Sequence, residues 1–231
     1  MITRLRGLGI VLGIIGFVFV IAGGYAFFKV QEGTASLNAF SAAQGVELSY
    51  SEDGQLTDRG TVEGAEPIMA LLTDDWGYPV VASELNPNDP LVNTASEYMY
   101  QMAVITYHTL HGETTVVLPE TVEYNGEVFE AGEYTFVNDG RYWTQFDRMH
   151  PIEGAARGQI WTGTAHALIG ELGVGTVTAQ ALQLGLALAG LFAGLGGTLI
   201  LTGAGLVWAT RAAREEEKVA VVKPAPVGIP A

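Results

Sequence analysis

Two stretches of the chain carry no charged residue, and they lie near opposite ends. Leu8 to Phe28 is 21 uncharged residues, about 32 Å as an α-helix, which matches a hydrocarbon core of about 30 Å. Leu172 to Thr210 is 39 uncharged residues, too many for one crossing, so the membrane part is placed at Ala181 to Ala209 with its beginning outside. Between these stretches the hydrophobic period changes several times. Thr34 to Gln44 is small and Ala-rich and continues as helix, Ser51 to Gly64 reads as loop, and Glu66 to Leu72 is a short helical candidate. Asn86-Pro87-Asn88-Asp89-Pro90 predicts a helix start, with Asp89 as N-cap and Pro90 in the first helical position. From Leu91 the apolar positions Ala95, Tyr98, Met102 and Ile105 recur at helical spacing to Leu110, and Gly112 ends the run.

From Thr114 to Val137 the period is two. Asn125-Gly126 is the favoured two-residue hairpin turn and Ala131-Gly132 makes a second reversal, so a three-strand meander is expected. In that register Val122 faces Phe129 and Phe129 faces Tyr134, with Tyr124 and Phe136 on the same side. Glu123, Glu130, Glu133 and Thr135 point the other way. Asn138-Asp139-Gly140 is a further turn, followed by the aromatic residues Tyr142, Trp143 and Phe146. Helical composition resumes at Glu153 and runs through Ile160, Trp161, Leu168 and Leu172 into the second apolar stretch, loosened by glycines at 170, 173 and 175. Beyond Lys218, Pro224, Pro226 and Pro230 mark a short disordered extension. The pattern defines a membrane protein of α+β class, with two transmembrane helices flanking a mainly helical extracytoplasmic domain that carries a small antiparallel β-meander. Its segments are a cytoplasmic N-terminus (1–7), a first transmembrane helix (8–28), the outer domain (29–180), a second transmembrane helix (181–209) and a cytoplasmic tail (210–231).

Charge sets the orientation. Arg4 and Arg6 precede the first span, and Arg211, Arg214 and Lys218 follow the second. The positive-inside rule then places both termini in the cytoplasm and the protein in the cell membrane. The first span also resembles a secretory signal, but its apolar run exceeds a signal core, and Gly24-Tyr25-Ala26 is a poor cleavage site, so an uncleaved anchor is expected. Residues 30 to 180 hold 22 Asp and Glu against four Arg and no Lys, a net charge of −18. Such a surface repels phosphate backbones and works against nucleic-acid binding. The chain has no cysteine, which excludes disulfides, thiolate catalysis and cysteine-ligated clusters. Gly9 and Gly13 in the first span, and Gly190 and Gly194 with Ala193 and Gly197 in the second, form small-residue stripes that either join the spans to each other or to another copy of the chain, or simply reflect how common glycine is in membrane helices. Neither span contains an ionisable residue, which counts against an intramembrane proton or ion path.

Candidate chemistry is sparse. His108 and His111 lie one helical turn apart, and with His150 or His166 and a carboxylate such as Glu113 or Asp147 they are candidate ligands for zinc or for iron in a two-histidine, one-carboxylate site. The competing reading is that histidines near a helix C-terminus are surface residues favoured by the dipole. The acidic face of the meander is a candidate site for calcium or another divalent cation. No GxSxG elbow, phosphate loop or HExxH run occurs. Tyr142, Trp143 and Phe146 with Arg141 and Arg148 form either a sugar or peptide platform or part of the core.

Four stretches taken together, MITRLRGLGIVLGIIGF, VVASELNPNDPLVNTASEYMYQMAVITYHTLHG, GRYWTQFDRMHPIEGAARGQIWTGTAHALIGELGVGTVTA and LTGAGLVWA, resemble a family of actinobacterial two-pass membrane proteins whose members often carry the label of an aromatic-ring-opening dioxygenase alpha subunit. The resemblance spans nearly the whole chain. It implies two spans around an outer domain, and its label implies a metal-dependent oxygenase, but no motif carries a catalytic residue onto a position of this sequence. The residues themselves favour a non-catalytic envelope protein whose outer domain binds or positions another membrane or cell-wall component. The metal-dependent oxygenase and the divalent-cation module are the alternatives.

Overall fold

The computed structural model describes residues 2–222, and side chains as far as residue 215. The chain is mostly helical with a small amount of antiparallel β-structure, an α+β composition. It divides into two compact units, one comprising residues up to Thr34 together with those from Ala181, the other Ala35–Gln180. Two long helices, α1 (Ile2–Gln44) and α5 (Gly163–Val222), contribute to both. The extension expected beyond Lys218 lies, from residue 223, outside the described residues.

In the first unit α1 and α5 run antiparallel. Both are long and apolar enough to cross a membrane, and only 11% of the most apolar 18-residue window of each is buried. They meet through glycines at a seven-residue interval. A Cβ on Gly9 would stand 2.7 Å from the Gly203 carbonyl oxygen, one on Gly16 2.6 Å from that of Gly196, and one on Gly23 2.8 Å from that of Ala189. Each step of seven residues along α1 is thus matched by seven residues back along α5. Absence of a side chain is what lets the two backbones approach this closely. Phe19 and Phe192 pack beside this seam, with ring centroids 5.7 Å apart. Of the stripes expected from sequence, Gly9 packs in the seam and Gly13 and Ala193 lend it backbone, but a Cβ on Gly190, Gly194 or Gly197 meets nothing within 4 Å. Spacing of four identified small residues without identifying which side of the helix faces its neighbour.

The second unit is built around α3 (Ala95–Leu110). One core cluster holds Ile68 of α2 (Val62–Ala70), Leu72, Tyr98, Tyr100 and Ala103 of α3, and Leu172 of α5. A second cluster gathers Leu110, Val116, Phe129, Phe136, Phe146 and Trp161. Helix α3 starts five residues later than Pro90 suggested. Thr94 and Glu97 form a reciprocal capping box, and this satisfies more orphan amides than a single Asp89 cap. Asp89 instead closes a tight turn with Asn86, and Leu91 bridges to Glu47. At the other end the buried Asn138 side chain donates to the Thr109 carbonyl at 2.7 Å, which caps the last turn of α3 from outside the helix.

The β-structure is two separate ladders rather than a meander. β2 (Val122–Tyr124) pairs with β3 (Glu127–Phe129) in the expected register, Val122 opposite Phe129. Asn125 and Gly126 both have positive φ, 52° and 83°, as a type I′ turn requires. β4 (Gly132–Val137), however, turns away from β3 and pairs with β1 (Glu113–Leu118), Val116 opposite Tyr134. That gives β4 a six-residue partner where β3 offers three, so the longer ladder wins the backbone hydrogen bonds. The facing pattern survives the change: Phe129 and Phe136 are buried, and Glu123, Glu130, Glu133 and Thr135 are exposed. A short helix α4 (Glu153–Ile160) follows and stops at Trp161, before α5 begins at Gly163.

Candidate functional site

Helix α3 presents two chemically different faces to the rest of its unit. Glu97, Tyr100 and His108 lie along one face, where three- and four-residue steps bring side chains together. Glu97 is 2% exposed, and one of its carboxylate oxygens accepts from the amides of Asn93 and Thr94 and from the Thr94 hydroxyl at 2.8 to 3.0 Å. Burial nevertheless pushes its carboxyl above the ordinary carboxylate range, outweighing those hydrogen bonds. Burial likewise raises the Tyr100 phenol, helped by Asp58 and Tyr50 nearby, and the Tyr50 phenol, helped by Glu97. Both phenol oxygens are buried and find no hydrogen-bond partner among the described residues. At the rim His108 Nε2 lies 3.0 Å from Asp58 Oδ1.

The other face of α3, with Tyr98, Gln101 and Ile105, lines a cavity of about 200 Å³ shared with α1, α5 and the segment after α1. Tyr98 donates to or accepts from the Ser41 hydroxyl at 2.7 Å, and its ring lies against Gly175.

The four histidines take four separate roles. His108 pairs with Asp58. His111, one turn further on, has its Nδ1 2.9 Å from the Tyr107 carbonyl oxygen. His150 Nδ1 accepts from the amides of Ile152 and Glu153 at the start of α4, with its ring edge-on to Phe129. His166 Nδ1 lies 3.0 Å from the Thr162 carbonyl oxygen, and its ring packs edge-on to Trp143 and tilted against Trp161. Of the carboxylates considered with them, Asp147 accepts from the Tyr124 hydroxyl at 2.7 Å and Glu113 begins β1. Among the described residues no three His, Asp or Glu side chains are grouped to hold a metal ion. The acids expected on one meander face are divided between two ladders, with Glu130 accepting from Thr121.

The aromatic and arginine cluster is a packed structural knot. The Arg141 guanidinium lies over both Phe136 and Phe146, 4.7 and 5.1 Å from their centroids, and binds Glu153 at 2.7 Å. Arg157 covers the Trp143 ring, Trp161 donates its indole N–H to the Arg141 carbonyl, and Phe146 is buried. Burial works to raise the Glu153 carboxyl, but the Asp147 amide and Arg141 outweigh it and hold it below the ordinary value. The Tyr50, Tyr100 and Asp58 grouping escaped sequence reasoning, because the segment carrying Tyr50 and Asp58 has no periodicity to aim its side chains. No protein-family model, curated protein or solved structure matches the chain.

Proposed function

We propose that the chain is a two-pass integral protein of the cell membrane, with both termini in the cytoplasm, that presents its acidic unit on the other side as a non-catalytic interaction or scaffold module of the cell envelope. The observation that carries this reading is the character of the two apolar helices. They mesh through glycine backbones and leave their large side chains, among them Ile14, Phe17, Val18, Leu191 and Leu201, turned outward. Water does not tolerate so continuous an apolar surface, whereas lipid does. The cationic residues Arg4 and Arg6 before the first apolar run, and Arg211 and Arg214 after the second, suit the inner leaflet.

An interaction role is supported by how the polar groups of residues 35–180 are used. The histidines and Arg141 are bound to their own structural neighbours, while the surface keeps a large excess of Asp and Glu. Charge complementarity favours a partner that is neutral or cationic at the contact, and the lipid bilayer itself is the first partner. Reporters fused after Ala231 and inserted at the Asn125-Gly126 turn test the orientation: the first is expected to be active only in the cytoplasm and the second only outside, and the reverse would end the proposal. Crosslinking in intact membranes, read by mass spectrometry, tests the role. Adducts joining residues 35–180 to another envelope component are expected, and recovery of monomer alone would overturn it.

A further inference from the structure

The cavity beside α3 has the make-up of a small-molecule site. Val46, Val92, Ile105 and Leu172 supply apolar wall, and Phe40 and Leu168 are part-exposed at its edge. Its polar groups are few. Ser41 and Tyr98 share one hydrogen bond between two hydroxyls, so one hydroxyl proton is left over. Gln44 and Gln101, both on the lining, make no side-chain hydrogen bond among the described residues, and Glu171 adds a carboxylate. An apolar interior with a small set of free polar groups is the usual composition of a ligand pocket.

Size and charge narrow the occupant. A 150 Å³ apolar cavity accepts benzene, so one of about 200 Å³ takes roughly eight non-hydrogen atoms, a single ring or a short aliphatic chain. No Arg or Lys lines it, and residues 35–180 hold 21 Asp and Glu against four Arg, a net charge of −17. An anionic head would meet Glu171 and that field unpaired. We infer that this cavity binds a small amphiphile, monocyclic or short-chain, whose head is a hydroxyl or amine held by Gln44, Gln101 and Glu171. The inference is independent of the interaction role proposed above.

The test is a titration of the full chain, in detergent or nanodiscs, with isoleucine δ1-methyl groups labelled for NMR. Ile105 is the reporter, and Ile152 and Ile160, which pack on the second core, are the references. The probes are 1-hexanol, hexylamine and hexanoate, which share one tail. Saturable shifts at Ile105 but not at the references are expected with the first two, and at least tenfold weaker binding with hexanoate. Val46→Phe, which fills the cavity, is expected to abolish the Ile105 response. Should Val46→Phe fail to fold, Gln101→Leu serves instead, with at least a threefold weaker response to hexanol expected. An Ile105 signal that does not move, that moves equally with hexanoate, or that is unaffected by a folded variant overturns the inference.

Discussion

The Tyr98 ring rests where the side chain of residue 175 would be: a Cβ on Gly175 would stand 2.6 Å from Tyr98 Cδ1 and Cε1. Glycine in a helix interior normally costs about 1 kcal/mol relative to alanine. Here the ring is 5% exposed and tied to Ser41 through its hydroxyl, so it has little freedom to retreat. Gly175→Ala is expected to lower stability by about 1–3 kcal/mol through overpacking. Gly173→Ala, where an added Cβ meets nothing within 4 Å, should be neutral or stabilise by up to about 1 kcal/mol. Thermal or denaturant unfolding of the two variants in detergent reads the contrast directly.

The capping box yields a prediction with a definite sign. Glu97 has a folded-state pKa raised by burial, so the folded chain holds that proton more tightly than the unfolded one. Its contribution to stability is therefore fully present below the ordinary carboxylate range and is lost as pH rises through the raised value. In Glu97→Gln this loss is absent. Melting temperatures measured from pH 4 to pH 8 should show the variant gaining on the parent as pH rises, and a difference that is flat or opposite in sign would contradict the assignment. Thr94→Ala, which removes the other half of the box, should cost about 1 kcal/mol.

Glu153 behaves in the opposite sense. Its folded pKa is depressed, so the stability it contributes is present above its unfolded pKa and disappears as pH falls through the lower folded value. Arg141→Met should reduce stability by about 1–3 kcal/mol, the scale of a lost charge-assisted hydrogen bond. The same variant should flatten the acid limb of an unfolding curve followed through the fluorescence of Trp161, whose indole N–H donates to the Arg141 carbonyl.

The glycine seam can be interrogated with thiols, since the chain has no cysteine of its own. Phe19→Cys with Phe192→Cys should form an intrachain disulfide on mild oxidation, the two rings being neighbours. Adding Gly16→Leu, whose side chain would press on the Gly196 carbonyl and on Ile200, should reduce the disulfide yield several-fold. Gly194→Leu, on an open face, should leave it unchanged, and equal yields in the two variants would refute the seam.

Sequence was most informative where the determining chemistry is local. Asn125-Gly126 carries its own turn geometry, and the Val122–Phe129 register followed from it. Leu110 and Gly112 marked the end of α3 correctly, because a helix stop is written in adjacent residues. Pro90 misled because it resembles a start signal more strongly than Thr94 does, although Thr94 and Glu97 between them satisfy more amides. The pairing of β4 with β1 depended on a partner about 20 residues away, which alternation does not reveal. Gly175 read as a weak point in a helix and is a socket for Tyr98. His108 and His111 were correctly read as lying near the C-terminus of α3, but the partner of His108, Asp58, comes from a loop whose course no period encodes.

The seven-residue repeat of glycine contacts between α1 and α5 has a mechanical corollary. Shifting one helix along the other by a single turn, about 5.4 Å, would drive side chains into all three notches at once. The next offset at which notches could realign is a full repeat away, about 10.5 Å. The pair is therefore a strut that does not telescope, and a load applied along one helix is shared by the other without slippage.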